Sequence, residues 1–173
     1  MALSIAIKPT DDGSPTLFNA DAGEHYHSIY GARTESEHVF INNGLKNCQT
    51  NSSISILEVG LGTGLNVMLT ALHSDKYNSI AYDAVELHPI DIELAQKFAA
   101  AFDSEERNLL EKIHATKWNE AVKIVCNFSL RKISGDINNI TLDRKYDLVY
   151  FDAFSPETQP EMWTNNLFSD IYN

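Results

Sequence analysis

Glu58-Val59-Gly60-Leu61-Gly62-Thr63-Gly64 is the stretch that decides how this chain folds. Just before it, Ile56, Leu57 and Val59 form a short apolar strand. Just after it, Leu65, Met68, Leu69 and Leu72 recur at i, i+3, i+4 and i+7, the spacing of one helical face. A strand that turns through glycines into a helix opens an α/β sheet. Ile80 to Val85 reads as the next strand, closed by Glu86. Pro89 is expected to open a helix as a first-turn proline, with Leu94, Phe98, Ala101 and Phe102 on one face. Ser104 is expected to cap another helix running through Ile113. A third strand falls within Phe128 to Ser134, ahead of Gly135-Asp136, although its alternation is poor. Tyr146 to Phe151 reads as an apolar strand covered on both faces and ending at Asp152. Strands alternating with helices imply a mostly parallel, Rossmann-like sheet with helices on both faces.

Around this core the expectations are coarser. Met1 to Phe18 reads as a β-hairpin: Leu3, Ile5 and Ile7 alternate, and Asp11-Asp12-Gly13-Ser14 supplies the turn. A polar, aromatic connector follows, Glu24-His25-Tyr26-His27-Ser28. Glu35 to Asn43 is a short helix that Gly44 is placed to stop in a left-handed conformation. Residues 1–50 are thus a hairpin and connector packed on the core, and 51–173 the ligand-binding domain. A last helix runs roughly from Glu161 to Tyr172. It leaves Tyr146–Phe151 as an apolar sheet edge, so further C-terminal strands, or a covering partner, are expected.

Composition narrows the function classes. Hydrophobic residues make up 43% of the 173, enough for one packed domain. No apolar run approaches the ~18–20 residues of a membrane span. Met1 to Pro9 lacks a signal-peptide layout, and Cys48 and Cys126 are too few for a disulfide framework. Both are expected as reduced, buried thiols in a cytoplasmic protein. The net charge of −11 argues against binding nucleic acid over the whole surface. Lys112 to Lys145 nevertheless carries seven basic residues against three acidic ones. Lys112, Lys117, Arg131 and Lys132 are therefore either a local phosphate-contacting patch or a solvated face.

The glycines at 60, 62 and 64 do not match the dinucleotide fingerprint, whose third glycine would stand where Leu65 is. A pyrophosphate needs free amides aimed at its negative charge. A tight glycine turn beside a carboxylate, Glu58, instead suits the sulfonium and amino-acid tail of S-adenosylmethionine. Glu86 at the next strand end can accept hydrogen bonds from both ribose hydroxyls. Asp136, after the third strand, is placed to meet the adenine amino group. Each acid taken alone reads as a helix cap or a solvated turn residue. With Asp152 they mark successive strand ends, which open on one crevice in such a sheet. The expected fold is that of a class I S-adenosylmethionine-dependent methyltransferase.

The segment after the fourth strand is Asp152-Ala153-Phe154-Ser155-Pro156-Glu157-Thr158-Gln159-Pro160-Glu161-Met162-Trp163. It resembles the pattern Asp-Gly-Phe-Ala-Pro-x-x-Asn-Pro-x-Met-Trp of the tRNA-modifying methyltransferases of the MnmC N-terminal domain and stand-alone MnmD type. The resemblance extends to Gly13–Leu17, Glu24–Ser28, Glu35-Ser36-x-His38-Val39-Phe40 and Glu58–Asn66. Departures are Ala153 for glycine, Gln159 for asparagine, and Glu37 where arginine is expected. The resemblance implies methylation of the exocyclic amine of 5-aminomethyl-2-thiouridine at the tRNA wobble position. It implies Asp152 as the catalytic carboxylate, with Tyr26, His27, Phe154 and Pro156 around the acceptor. Asp152 as a turn cap and Phe154 as core packing are the plainer alternatives. No spacing of His25, His27 or His38 with a cysteine or acid suggests a metal. Competing functions are an aminopropyltransferase like spermidine synthase and a non-catalytic donor- or RNA-binding module.

Overall fold

The computed structural model describes residues 4–172. At its N-terminal end β1 (Ile5–Pro9), β2 (Pro15–Asn19) and β3 (Glu24–His25) form a small antiparallel sheet in the order β1-β2-β3. The hairpin is present as expected, although Leu3 lies outside the described residues. The connector contributes a third strand through Phe18 and Asn19. α1 (Ala32–Ser36) runs directly into a π-helical turn, Glu37–Asn42.

Gly44 does not take the expected left-handed conformation; its φ is −107°. The wider π turn ends with Asn43 N–H donating to His38 O. Gly44 is needed there for closeness, since a Cβ would lie 2.4 Å from Phe40 O.

The main sheet holds β4 (Ser53–Val59), β5 (Ser79–Glu86), β6 (Ala121–Val125), β7 (Phe128–Ser134) and β8 (Leu148–Phe151), in the order β6-β7-β5-β4-β8. β7, β5, β4 and β8 are parallel, and β6 is antiparallel to β7. Chain order reverses between β4 and its two neighbours, so the crevice of a doubly wound sheet opens at their carboxyl ends. Strand alternation sorts the faces. Ile54, Ile56, Ile80, Tyr82, Phe128 and Leu130 point into the larger core with α2 (Leu65–Leu72) and α4 (Ser104–Ala115). Leu57, Val59 and Val85 point to a smaller core closed by Leu167 and Ile171 of α5 (Asn165–Tyr172). Each fully buried aliphatic side chain contributes about 1.5–3 kcal/mol to stability. Two-sided burial therefore specifies the register of β4 and β5 strongly.

Several sequence expectations shift. α3 (Ile92–Ala99) starts after Asp91, whose side chain accepts from Leu94 N at 2.7 Å; Pro89 lies outside the helix. Asp103, not Ser104, caps α4, taking bonds from Glu105 N and Glu106 N. A carboxylate one residue earlier reaches both free amides of the first turn. The fourth expected strand begins only at Leu148, because Asp147 accepts from Ser55 N and the Tyr146 hydroxyl turns away to Asp83. The last helix is split into a 3₁₀ turn, Pro160–Met162, and α5. Cys126 is exposed rather than buried.

Candidate active site

A cavity of about 630 Å³ opens where β4, β5, β7 and β8 end. Its walls are the glycine loop, the segments after β5, β7 and β8, and a fourth side supplied by Gly23–Ile29 and Glu35. Gly60, Gly62 and Gly64 all have positive φ, +93°, +49° and +76°. At Gly60 a Cβ would sit 2.4 Å from the backbone oxygen of Asp152, and at Gly62 it would sit 3.1 Å from the Tyr26 ring. The loop thus presses one strand end against another and leaves room for Tyr26. Gly64 initiates α2 and faces His114 and Ile113, so it lies outside the cavity wall.

Glu86 lines the cavity with its carboxylate held by two backbone amides, Gly62 N at 2.9 Å and His88 N at 2.7 Å. Carboxylate oxygens accept more than one bond each, so both remain open to paired hydroxyls. Asp136 is held by Asn138 and Asn139 and also lines the wall, beside Ile137.

Asp152 sits where the glycine loop meets the end of β8. Burial pushes its carboxyl up to about 7, against the hydrogen bond from Asn66, with the charge of Glu35 adding to the rise. Asn66, in the first turn of α2, uses one amide group to donate to Asp152 Oδ2 at 2.8 Å and to Glu58 Oε1 at 3.0 Å. Glu58 itself is fully buried behind the loop, on the same face of β4 as Ile56, and does not line the cavity. Burial and the nearby Asp152 charge raise its carboxyl well above the usual range. Buried behind the loop, Glu58 does not meet a sulfonium directly; it bears on the cavity through Asn66.

The N-terminal segment forms the opposing wall. Tyr26 meets Phe154 edge-on, ring centres 5.1 Å apart. His27 is buried, its nitrogen pushed down to about 4 by burial, and its Nε2 bonds the Thr63 hydroxyl at 2.9 Å. His114 Nε2 meets the Thr63 carbonyl at 2.8 Å, so the loop is gripped from both sides. Glu24 accepts from Ser155 N and Oγ, each at 3.0 Å. Trp163 Nε1–H donates to Phe154 O at 2.8 Å and so ties the last turn to the cavity wall.

Of the residues singled out in the sequence, Tyr26, His27, Gly60, Gly62, Glu86, Asp136, Asp152 and Phe154 share this one cavity. Glu58, Gly64 and the exposed Pro156 stand outside its wall. Asn66, Glu24 and Glu35 were missed. Asn66 stands two residues after Gly64 and Glu35 opens the segment Glu35-Ser36-x-His38-Val39-Phe40, so both carried a signal that spacing alone does not rank. The basic stretch is not a free patch. Alternation on β7 sends Lys132 into the core, where Nζ donates to His114 O at 2.7 Å and lies 4.7 Å over the Trp118 ring. It sends Arg131 to the other face, paired with Asp83 and Asp143. Lys112 donates to Ile124 O, while Lys117 stays exposed beside Glu120.

The cavity's donor set is one-sided. Glu24, Glu35, Glu86, Asp136, Asp152 and Glu161 line it, and no lysine or arginine does. Such a site fits a sulfonium cation and an amine, and disfavours a pyrophosphate. Among the described residues, no group of three or more His, Cys, Asp or Glu side chains comes together as metal ligands, and no helix is long and apolar enough to cross a membrane.

Comparison with known proteins places the chain in context. The family model described as S-adenosyl-L-methionine-dependent methyltransferase matches residues 100–173. The tRNA 5-methylaminomethyl-2-thiouridine biosynthesis bifunctional protein MnmC of Ralstonia nicotianae is 30% identical over 92% of this chain and 26% of its own length. Its namesake in Campylobacter hominis is 28% identical over 90% of this chain and 24% of its own. The crystal structure of MnmC2 from Aquifex aeolicus superposes with a TM-score of 0.77 and 28% identity, covering 99% of this chain and 56% of that one. The chain spans about a quarter of the length of these curated relatives. The matches bear out the MnmC-type resemblance and the α/β methyltransferase fold. The matched family is one of S-adenosylmethionine-dependent methyltransferases, as the glycine loop led us to expect.

Proposed function

We propose that this chain, similar over nearly all its length to part of the MnmC proteins, transfers a methyl group from S-adenosylmethionine to a tRNA nucleoside. The acceptor is the exocyclic amine of 5-aminomethyl-2-thiouridine at the wobble position, and the product is 5-methylaminomethyl-2-thiouridine. The observation that carries this reading is the cavity of six carboxylates without a single lysine or arginine. When bound, S-adenosylmethionine supplies an electrophilic methyl group on a sulfonium whose leaving group is a neutral thioether.

This chain's residues then have distinct tasks. Glu86 takes the two ribose hydroxyls, and Asp136 meets the adenine amino group. Phe154 and Tyr26 offer aromatic surface to an unpaired base, as stacking platforms do. Asp152 orients the acceptor amine and removes its proton, because only the free amine has a lone pair to attack with. Its carboxyl, raised to about 7, is a stronger base than an ordinary aspartate. Glu58 and Asn66 hold Asp152 in place. Alignment of this kind is worth roughly 7–11 kcal/mol of barrier. Gly23–Ile29 and Glu35 act as the fourth wall of the site, and a cytoplasmic location follows from a tRNA acceptor.

The test is mass spectrometry of nucleosides after incubating the protein with methyl-labelled S-adenosylmethionine and tRNA lacking the final methyl group. One methyl gained on the aminomethyl nucleoside is expected. Unlabelled nucleoside, or aminopropyl transfer to putrescine from the decarboxylated donor, would overturn the reading.

A further inference from the structure

We infer that Glu35 is a second acceptor-binding carboxylate, which together with Asp152 clasps the incoming amine as a cation and selects amines over neutral acceptor groups. The inference rests on the reading above and extends it to a residue outside the sheet. Glu35 and Asp152 line the same cavity, one from α1 and the other just after β8, close enough for the Glu35 charge to act on Asp152. Glu35 is not left to wander, since Ser28 N donates to its Oε2 at 2.7 Å. Ser28 follows Tyr26 and His27, so one turn orders the acceptor-side aromatic, the loop clamp and this carboxylate together.

The chemistry explains why two acids are useful. An aliphatic amine is largely protonated near neutral pH, so it reaches the cavity as an ammonium ion. Asp152 must accept a proton from it before attack, and then ceases to carry charge. A second carboxylate, Glu35, keeps the site attractive to the ammonium that arrives and to the secondary ammonium that forms. In the balanced step, the ammonium proton passes to Asp152 and the nitrogen lone pair forms the N–C bond. The methyl–sulfur bond breaks, leaving its electron pair on sulfur as a thioether. A hydroxyl or a carbon acceptor gains nothing from this pair of charges.

Glu35 also acts on Asp152 itself. The groups that face Asp152 are Asn66 from α2, through its hydrogen bond, Glu58 from β4 and Tyr82 from β5 by their electrostatic coupling, and Glu35 from α1. The Glu35 charge holds the Asp152 carboxyl higher than burial alone would. Removing that charge moves the Asp152 titration to lower pH.

The test is steady-state kinetics of Glu35→Gln across pH, with labelled donor and tRNA lacking the final methyl group. Glutamine keeps an oxygen for Ser28 N–H and removes only the charge. The acceptor KM is expected to rise by about tenfold or more, and donor affinity to stay within about twofold of wild type. The acidic limb of the rate profile should move to lower pH. A Glu35→Asp variant, which keeps the charge on a shorter arm, should raise KM while leaving that limb in place. It also provides the readout if the glutamine variant does not fold. Acceptor KM and acidic limb both unchanged in the variant measured would overturn the inference. No transfer by the wild-type protein would instead count against the functional reading, a result seen before any variant is made.

Discussion

Replacing Asp152 with asparagine should abolish transfer and yet stabilise the protein at alkaline pH. The carboxyl stands at about 7 instead of its ordinary 3.8 because burial penalises its charge. Between about pH 4 and 7 the folded chain therefore keeps a proton that the unfolded chain has released. Stability falls as pH rises through that window and is lowest above it. About three units at roughly 1.4 kcal/mol each give a ceiling of about 4 kcal/mol. Asp152 is partly exposed on the cavity wall, so solvent screening brings the expected gain to about 1–3 kcal/mol. Asparagine never ionises, and its oxygen can still accept from Asn66.

The wild-type curve alone is ambiguous, because buried His27, pushed down to about 4 from 6.5, contributes with the opposite sign. Its folded state binds fewer protons, so its contribution grows as pH rises through about 4 to 6.5. The difference between variant and wild type cancels the His27 contribution and leaves that of Asp152 with its coupling to Glu58. Urea melts at pH 5.5 and 8.0 are the assay. The advantage of asparagine should be roughly twice as large at 8.0, where it corresponds to a melting-temperature gain of about 2–12 °C. Equal stability at pH 8.0, or an advantage that does not grow with pH, would refute the reasoning.

Three other changes probe separate parts of the site. Gly60→Ala places a Cβ against the Asp152 backbone oxygen at a φ of +93°. It should cost about 2 kcal/mol or more and abolish donor binding, read by denaturation and calorimetry; a stable, donor-binding variant would contradict the close approach. Glu86→Ala should weaken donor affinity by at least about tenfold with the fold retained, since it removes charge-assisted acceptors for the ribose; calorimetry decides. Thr63→Val leaves His27 Nε2 without its partner in a buried position. A loss of about 1–3 kcal/mol in urea unfolding is expected, and a neutral effect would mean the clamp is slack.

Sequence legibility followed burial. β4 and β5 were readable because both faces are covered and their apolar residues run together. The acids after β5, β7 and β8 were readable because parallel strands must end on one crevice. β6 escaped notice: it is a five-residue edge strand holding Lys123, with only Ile124 buried and no two-sided apolar pattern. Glu58 was placed at the donor because it precedes the glycines, yet alternation from Ile54 and Ile56 turns it inward. The basic residues looked like a patch only in linear order, as neighbours on a strand face opposite ways. Glu24 meets Ser155 across 131 positions of chain, a pairing that no local pattern announces.

The most direct measurement is a crystal structure with S-adenosylhomocysteine bound. The account predicts the ribose hydroxyls on Glu86, the adenine beside Asp136, and the thioether sulfur turned toward Asp152. A ligand seated outside this cavity, or one with its sulfur turned away from Asp152, would contradict it.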